Sequence, residues 1–176
     1  MTFTDAIKTC FRKYVTFSGR AARSEYWWFF LFIILGNIVA GILDGILFGT
    51  GSVAVTDTSV QAETSGPISA LFGLATFLPL LAAGWRRMHD TGRSGLYVLY
   101  PAIVFVGIGL FVSLMGGFAT LSGGDITGLF GSVFGIILMI ALIVLLLSPL
   151  IVLWWLTRPS QPGSNEWGPN PNEVSS

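Results

Sequence analysis

Three short stretches of this 176-residue chain bring together side chains able to hold an anion or move a proton: Phe17-Ser-Gly-Arg-Ala-Ala-Arg-Ser-Glu-Tyr-Trp27, Arg86-Arg-Met-His-Asp-Thr-Gly-Arg-Ser-Gly95 and Pro162-Gly-Ser-Asn-Glu-Trp-Gly-Pro-Asn-Pro171. Guanidinium groups grip phosphate and carboxylate through paired N–H donors, so Arg20, Arg23, Arg86, Arg87 and Arg93 are the natural ligands of an anionic group such as a lipid phosphate. The same arginines would equally serve an ion-pair network that fixes helix ends, since basic residues flank membrane spans for topological reasons alone. His89 beside Asp90 suggests a catalytic pair, yet sequence neighbours seldom point at each other, and no nucleophile elbow, HExxH or phosphate-cradling glycine loop accompanies them. Binding is therefore expected rather than catalysis. The candidate cluster is Arg20, Arg23, Glu25, Trp27, Arg86, Arg87, His89, Asp90, Arg93, Asn165 and Trp167. One histidine and one cysteine, Cys10, support neither a disulfide nor a structural metal site, and no cofactor is expected.

The elements that must position these residues are written in the composition. Hydrophobic residues make up 53% of the chain and charged ones 10%, against about 25% charged in an ordinary globular domain, which excludes a disordered, fibrous or nucleic-acid-binding protein. Four stretches, 27–48, 68–85, 96–118 and 129–156, are long and apolar enough to cross about 30 Å of hydrocarbon as helices. The first is preceded by five basic residues and lacks a small-residue cleavage site, so it reads as a retained span. Lys8, Arg12, Lys13, Arg20 and Arg23 precede span one, Arg86, Arg87 and Arg93 separate spans two and three, and Arg158 follows span four; the segments 49–67 and 119–128 contain no Lys or Arg. The positive-inside rule then puts both termini in the cytoplasm. The formal net charge of zero resolves into a basic inner face and an acidic outer one.

The chain divides into a cytoplasmic segment 1–26, a membrane domain 27–156 and a Pro/Gly-rich cytoplasmic tail 157–176. Before the first span, Phe3, Ile7, Cys10, Phe11, Tyr14 and Val15 recur at helical spacing, and Thr2 with Asp5 forms a capping box, predicting an amphipathic helix on the membrane surface. If the first motif continues into span one as a helix, Glu25 points about 140° to 160° away from Arg20 and Arg23, so its partner lies on the Arg86–Arg93 segment. Arg20 or Arg23 in turn meets Asp90. Asp90-Thr-Gly92 suits a turn in which the Asp side chain accepts backbone N–H bonds, and Ser94 suits a cap for span three. Within the spans, Asn37 calls for an interhelical hydrogen bond, and Asp44 is expected at the outer boundary in contact with water. Pro79 and Pro149 leave the carbonyls of Ala75 and Leu145 without helical partners. The 49–66 connection reads as flexible and polar.

Taken together, Phe17-x-Gly19-Arg20-x-x-Arg23-x-Glu25-Tyr26-Trp27, Arg87-x-His89-Asp90-Thr91-Gly92-Arg93-Ser94-Gly95 and Pro162-Gly163-x-Asn165-x-Trp167-Gly168-Pro169-x-Pro171 resemble the bacterial inner-membrane family known as domain of unknown function 805. Met88 and Trp167 stand where that pattern favours Leu and Tyr. The resemblance implies a multi-pass plasma-membrane protein of bacteria and implies no activity. The fold class expected is all-α integral membrane. The function expected is noncatalytic binding or scaffolding, in which the cytoplasmic face recognises anionic lipid headgroups, a protein partner or a second copy. A small-solute or ion transporter component is the alternative, and an intramembrane enzyme the third.

Overall fold

The computed structural model describes residues 1–49, 53–56, 59–62, 66–121 and 133–173. In chain order these form α1 (Phe3–Arg12), α2 (Arg23–Phe48), β1 (Val53–Thr56), β2 (Ser59–Ala62), α3 (Pro67–Asp90), a short 3-10 turn (Gly95–Leu99), α4 (Tyr100–Leu121) and α5 (Val133–Thr157). Among the described residues, four helical stretches have the length and hydropathy to cross a membrane. The expected beginning of the last span, residues 129–132, and most of the 119–128 connection lie outside the described residues.

The helices run further than the apolar stretches that announce them. Helix α2 begins four residues before Trp27, and α3 continues five residues past Trp85 to Asp90. Hydropathy marks where a helix is apolar, whereas the helix itself persists as long as its polar side chains find partners. Termination falls at Gly92, whose φ of +74° an L-side chain rarely adopts. Ser94 then accepts from the Leu96 N–H, as expected, and opens the 3-10 turn that leads into α4. Two described pieces of the α2–α3 connection are strands. β1 and β2 pair antiparallel, with Val53 opposite Ala62 and Thr56 opposite Ser59; the β-branched residues of both strands favour that conformation over an irregular loop.

Asp44 departs from expectation in an informative way. Only 1% of it is exposed, because its carboxylate accepts from the backbone N–H groups of Ile68 (2.9 Å) and Ser69 (2.8 Å) and from the Ser69 hydroxyl (2.6 Å). It thus caps the N-terminus of α3 from another helix, meeting donors that have no intrahelical partner. Gly66 is required there, since a Cβ would lie 2.4 Å from the Asp44 Cγ. Asn37 likewise departs from expectation: among the described residues it bonds no other helix, and it donates to the Ile33 carbonyl of its own helix at 2.9 Å.

Both carbonyls released by proline are claimed. The Tyr14 hydroxyl donates to the Ala75 carbonyl at 2.8 Å, and the Ser148 hydroxyl donates to that of Leu145 at 2.9 Å. Tyr14 can do this because α1 lies across α2 and α3, with Ala6 and Cys10 buried. Phe3 meets Trp28 edge to face at 5.9 Å, and Phe11 meets Phe29 at 5.5 Å. The Thr2–Asp5 capping box starts α1 as predicted; its hydrogen bonds from Thr2 hold the Asp5 carboxyl below its ordinary value. The principal buried cluster, including Cys10, Tyr26, Phe29, Ala83, Met88, Val152 and Leu156, sits where α1, α2, α3 and α5 converge. Away from it, the spans turn large apolar residues outward, and α4 packs along α5.

Tyr14→Phe is expected to lower the unfolding stability in detergent by about 0.5–1.5 kcal/mol, the worth of one hydrogen bond. In a Pro79→Ala background the restored N–H can serve the Ala75 carbonyl, so the same change should cost clearly less. Equal costs in a double-mutant cycle would show that Tyr14 does not compensate the proline.

Candidate functional site

Beneath the ends of α2, α3 and α5, the three motifs assemble into one polar cap. Its centre is Asp90, fully buried at the last residue of α3. One carboxylate oxygen accepts from Arg20 Nε at 3.0 Å, and the other from Arg87 and from the Ser160 hydroxyl (2.6 Å). Two cations and a hydroxyl therefore converge on one anion. The expected Asx-type turn does not form, because both oxygens already serve side chains, and charge-assisted donors outcompete neutral amides.

Arg20 belongs to no helix. It lies in the extended stretch before α2, which the Ala21 N–H ties to the Arg86 carbonyl at 3.1 Å. Beyond Asp90, its guanidinium donates to the carbonyls of Gly163 (2.7 Å), Gly168 (3.3 Å) and Gln161 (2.6 Å). A chain segment can turn several carbonyls toward one point only by unusual backbone angles. Gly163 and Gly168, at φ of +67° and +132°, provide them. The tail motif is thus a carbonyl cradle for Arg20.

Arg87 performs a related task for α5. Besides Asp90, it donates to the carbonyls of Leu156, at 3.1 Å, and Arg158, groups left unpaired where a helix ends. The Trp27 indole N–H also reaches the Leu156 carbonyl at 3.4 Å. Glu25 finds the partner off its own helix that its direction demanded: Arg86 Nη1 donates to it at 2.6 Å, with both side chains buried. Arg86 Nη2 is the one buried side-chain polar atom without a partner among the described residues. Against this pair lies Cys10, and burial, followed by the Glu25 charge, pushes its thiol up to about 12.

His89 faces away from Asp90. Its Nδ1 is 3.0 Å from the Gly19 carbonyl, and since a carbonyl can only accept, Nδ1 carries the proton. The ring stacks on Trp167 with centroids 4.6 Å apart and planes within 7°. Asn165 donates to the His89 carbonyl at 3.0 Å and so locks the tail under the end of α3.

Of the candidate residues, Arg20, Arg87, His89, Asp90, Asn165 and Trp167 form one continuous network, with Glu25 and Arg86 beside it. Arg23 and Arg93 stand apart at the rim. Arg23 is exposed. Arg93 lies over the Trp155 ring at 5.2 Å, and burial together with the neighbouring charge of Arg158 lowers its ordinary value. Arg158 itself lies over Trp154 at 4.8 Å. The sequence reading missed Ser160 and Gln161. Ser160 is an ordinary hydroxyl and Gln161 contributes mainly backbone, so neither has a side-chain signature; their place immediately before Pro162 is the only hint.

Two outcomes follow for this cap. Asp90→Ala leaves Arg20 and Arg87 as buried charges without their anion, which is expected to cost about 3–5 kcal/mol; a loss of folded protein on size exclusion, or a large drop in melting temperature, checks it. Cys10 should resist alkylation in the folded protein at pH 8 and react fully after denaturation. Rapid labelling of the native state would contradict its placement.

The family described as "Protein of unknown function (DUF805)" matches residues 14–169, a range that contains the first two motifs and the third as far as Pro169. The Escherichia coli (strain K12) proteins named "Inner membrane protein YhaH" and "Inner membrane protein YhaI" are 38% and 40% identical over 96 residues, covering 54% of this chain and 71% and 70% of theirs. No solved structure matches. With the motif residues joined in one cap and the family match spanning nearly all of them, the chain is a multi-pass membrane protein that belongs to the DUF805 family.

Proposed function

We propose that this protein is a noncatalytic binding or scaffolding protein of the bacterial inner membrane, with both termini cytoplasmic, whose cap presents arginine and aromatic side chains to anionic lipid headgroups. The observation that carries this reading is the division of the arginines. Arg20, Arg86 and Arg87 are buried and turned inward. Arg23, Arg93 and Arg158 stand on the rim, each beside a tryptophan that belongs at the level of lipid headgroups. The cap is thus a rigid platform whose remaining cations ring its edge. Helix α1, carrying Lys8 and Arg12 with Lys13 at its C-terminal cap, extends the basic surface along the membrane.

Orientation follows from charge. The segments on the cap side hold all nine Lys and Arg against five acidic residues, whereas the opposite connections hold only acidic ones. The relatives' names, which place those proteins in the inner membrane, support the location. Binding is favoured over transport because the polar groups within the spans have local tasks: Asp44 caps α3, Asn37 bonds its own helix, Ser148 serves the carbonyl at Pro149, and the carbonyl at Pro79 is taken by Tyr14 from before the first span. A protein partner or a second copy would use the same rim.

Native mass spectrometry of gently extracted protein tests the reading. Co-purifying anionic phospholipid is expected, with retention falling about fivefold per rim arginine replaced by Gln, equivalent to ~1 kcal/mol each. Unchanged retention in the Arg23→Gln/Arg93→Gln/Arg158→Gln protein would refute it. A reporter fused after Ser176 is expected in the cytoplasm, and an extracytoplasmic signal would invert the topology.

A further inference from the structure

Two cavities open on the surface of α2. One, of about 280 Å³, is lined by Arg23, Ser24, Trp27, Trp28 and Leu31. The other, of about 480 Å³, continues deeper, walled by α2 together with Phe3 of α1 and Ile68 and Phe72 of α3. Their α2 residues follow a simple rule. Side chains four apart form ridges on a helix, with a groove between adjacent ridges. Arg23, Trp27, Leu31, Leu35, Val39 and Leu43 make one ridge, and Ser24, Trp28, Phe32, Gly36 and Ala40 make the next; these two rows account for every α2 residue in both cavities. The cavities are therefore two parts of one groove, about 30 Å from Arg23 to Leu43 by helical rise. The Phe3–Trp28 ring contact lies where they meet.

The chemistry of the lining changes along the groove in one direction. A guanidinium and a hydroxyl stand at its mouth, two indoles follow, and only apolar side chains line the remainder. Among the described residues Arg23 has no hydrogen bond or ion pair, and the nearest acid on its helix, Glu25, is held by Arg86. Gly36 keeps the second ridge low: the Phe72 ring occupies the space a Cβ would take, 2.2 Å from it, and forms the groove's far wall. Half of a 30 Å hydrocarbon core is about 15 Å, or about ten helical residues. Measured from Trp27, that reaches the level of Gly36 and Asn37, well inside the deeper cavity.

We propose that this groove binds one diacyl phospholipid with a net negative headgroup, its phosphate on Arg23 and Ser24 and an acyl chain running past Leu31 and Leu35 toward Val39. The assignment rests on the headgroup reading above and gives it a location separate from Arg93 and Arg158. A second copy of the chain would have no need of a lone cation at the groove's mouth, whereas a phospholipid matches the lining end to end.

Full-length protein reconstituted in phosphatidylcholine vesicles, with a minor fraction of phosphatidylglycerol or phosphatidylcholine brominated on its acyl chains, tests this through tryptophan quenching. Wild type is expected to be quenched more strongly by the brominated phosphatidylglycerol. In an Arg93→Gln/Arg158→Gln background, which removes the other rim cations, Arg23→Gln should lower the remaining preference about fivefold, and Trp27→Phe/Trp28→Phe should remove most of the selective signal. Leu35→Phe narrows the groove without touching charge and should weaken quenching by phosphatidylglycerol. Retained preference in Arg23→Gln, or wild-type quenching in Leu35→Phe, overturns the groove. If the preference instead follows Arg93 and Arg158, the headgroup reading stands and this site falls. Equal quenching by the two lipids in wild type overturns both. A disulfide between copies through Leu35→Cys would place a second chain in the groove and overturn the lipid.

Discussion

The structure depends on one buried carboxylate. Asp90 holds Arg20 and Arg87 together, and through them the N-terminal stretch, the end of α3, the end of α5 and the tail are fixed to one point. A buried anion with two cations is not a strong source of stability, since desolvating the charges offsets most of their attraction. It is a strong source of specificity. Any arrangement that separates these groups leaves charge in a low-dielectric interior, so competing packings of four similar apolar helices are disfavoured.

A second pattern is that helices complete one another's ends. Asp44 of α2 supplies the cap for the first turn of α3, and Arg87 of α3 supplies donors to the last carbonyls of α5. In a membrane, open backbone groups at helix ends carry a high cost, and apolar faces alone offer little preference between neighbours, because lipid tails are as apolar as the helices. Capping between helices solves both problems at once. It satisfies the termini and specifies which helix lies next to which.

The four spans, the Glu25 pairing, the meeting of Arg20 with Asp90 and the cap of Ser94 were legible from hydropathy, charge placement and helical direction. Those features are carried by residue type and spacing. Asp44 misled because its apparent distance from the apolar middle implied water, whereas the deciding fact was a set of free N–H groups on another helix. The carbonyl cradle around Arg20 was invisible for a related reason. Its ligands are backbone atoms, and only the positive φ of Gly163 and Gly168 hints that the tail turns inward. The side chains at the groove of α2 were individually plain, and their meaning came from lying on two adjacent ridges.

The carbonyl cradle also orders events in time. Of the three motifs, the one that closes on Arg20 is translated last, about 70 residues after Asp90 and 140 after Arg20. Until it emerges, Arg20 lacks most of its acceptors, and Arg87 lacks the end of α5. The α2–α3 hairpin can be threaded into the bilayer and capped at Asp44 well before then, yet its basic end stays incompletely neutralised. The tail is thus the last part of the cap to be made: until the chain is translated through this motif, Arg20 has Asp90 but lacks the carbonyls of Gln161, Gly163 and Gly168.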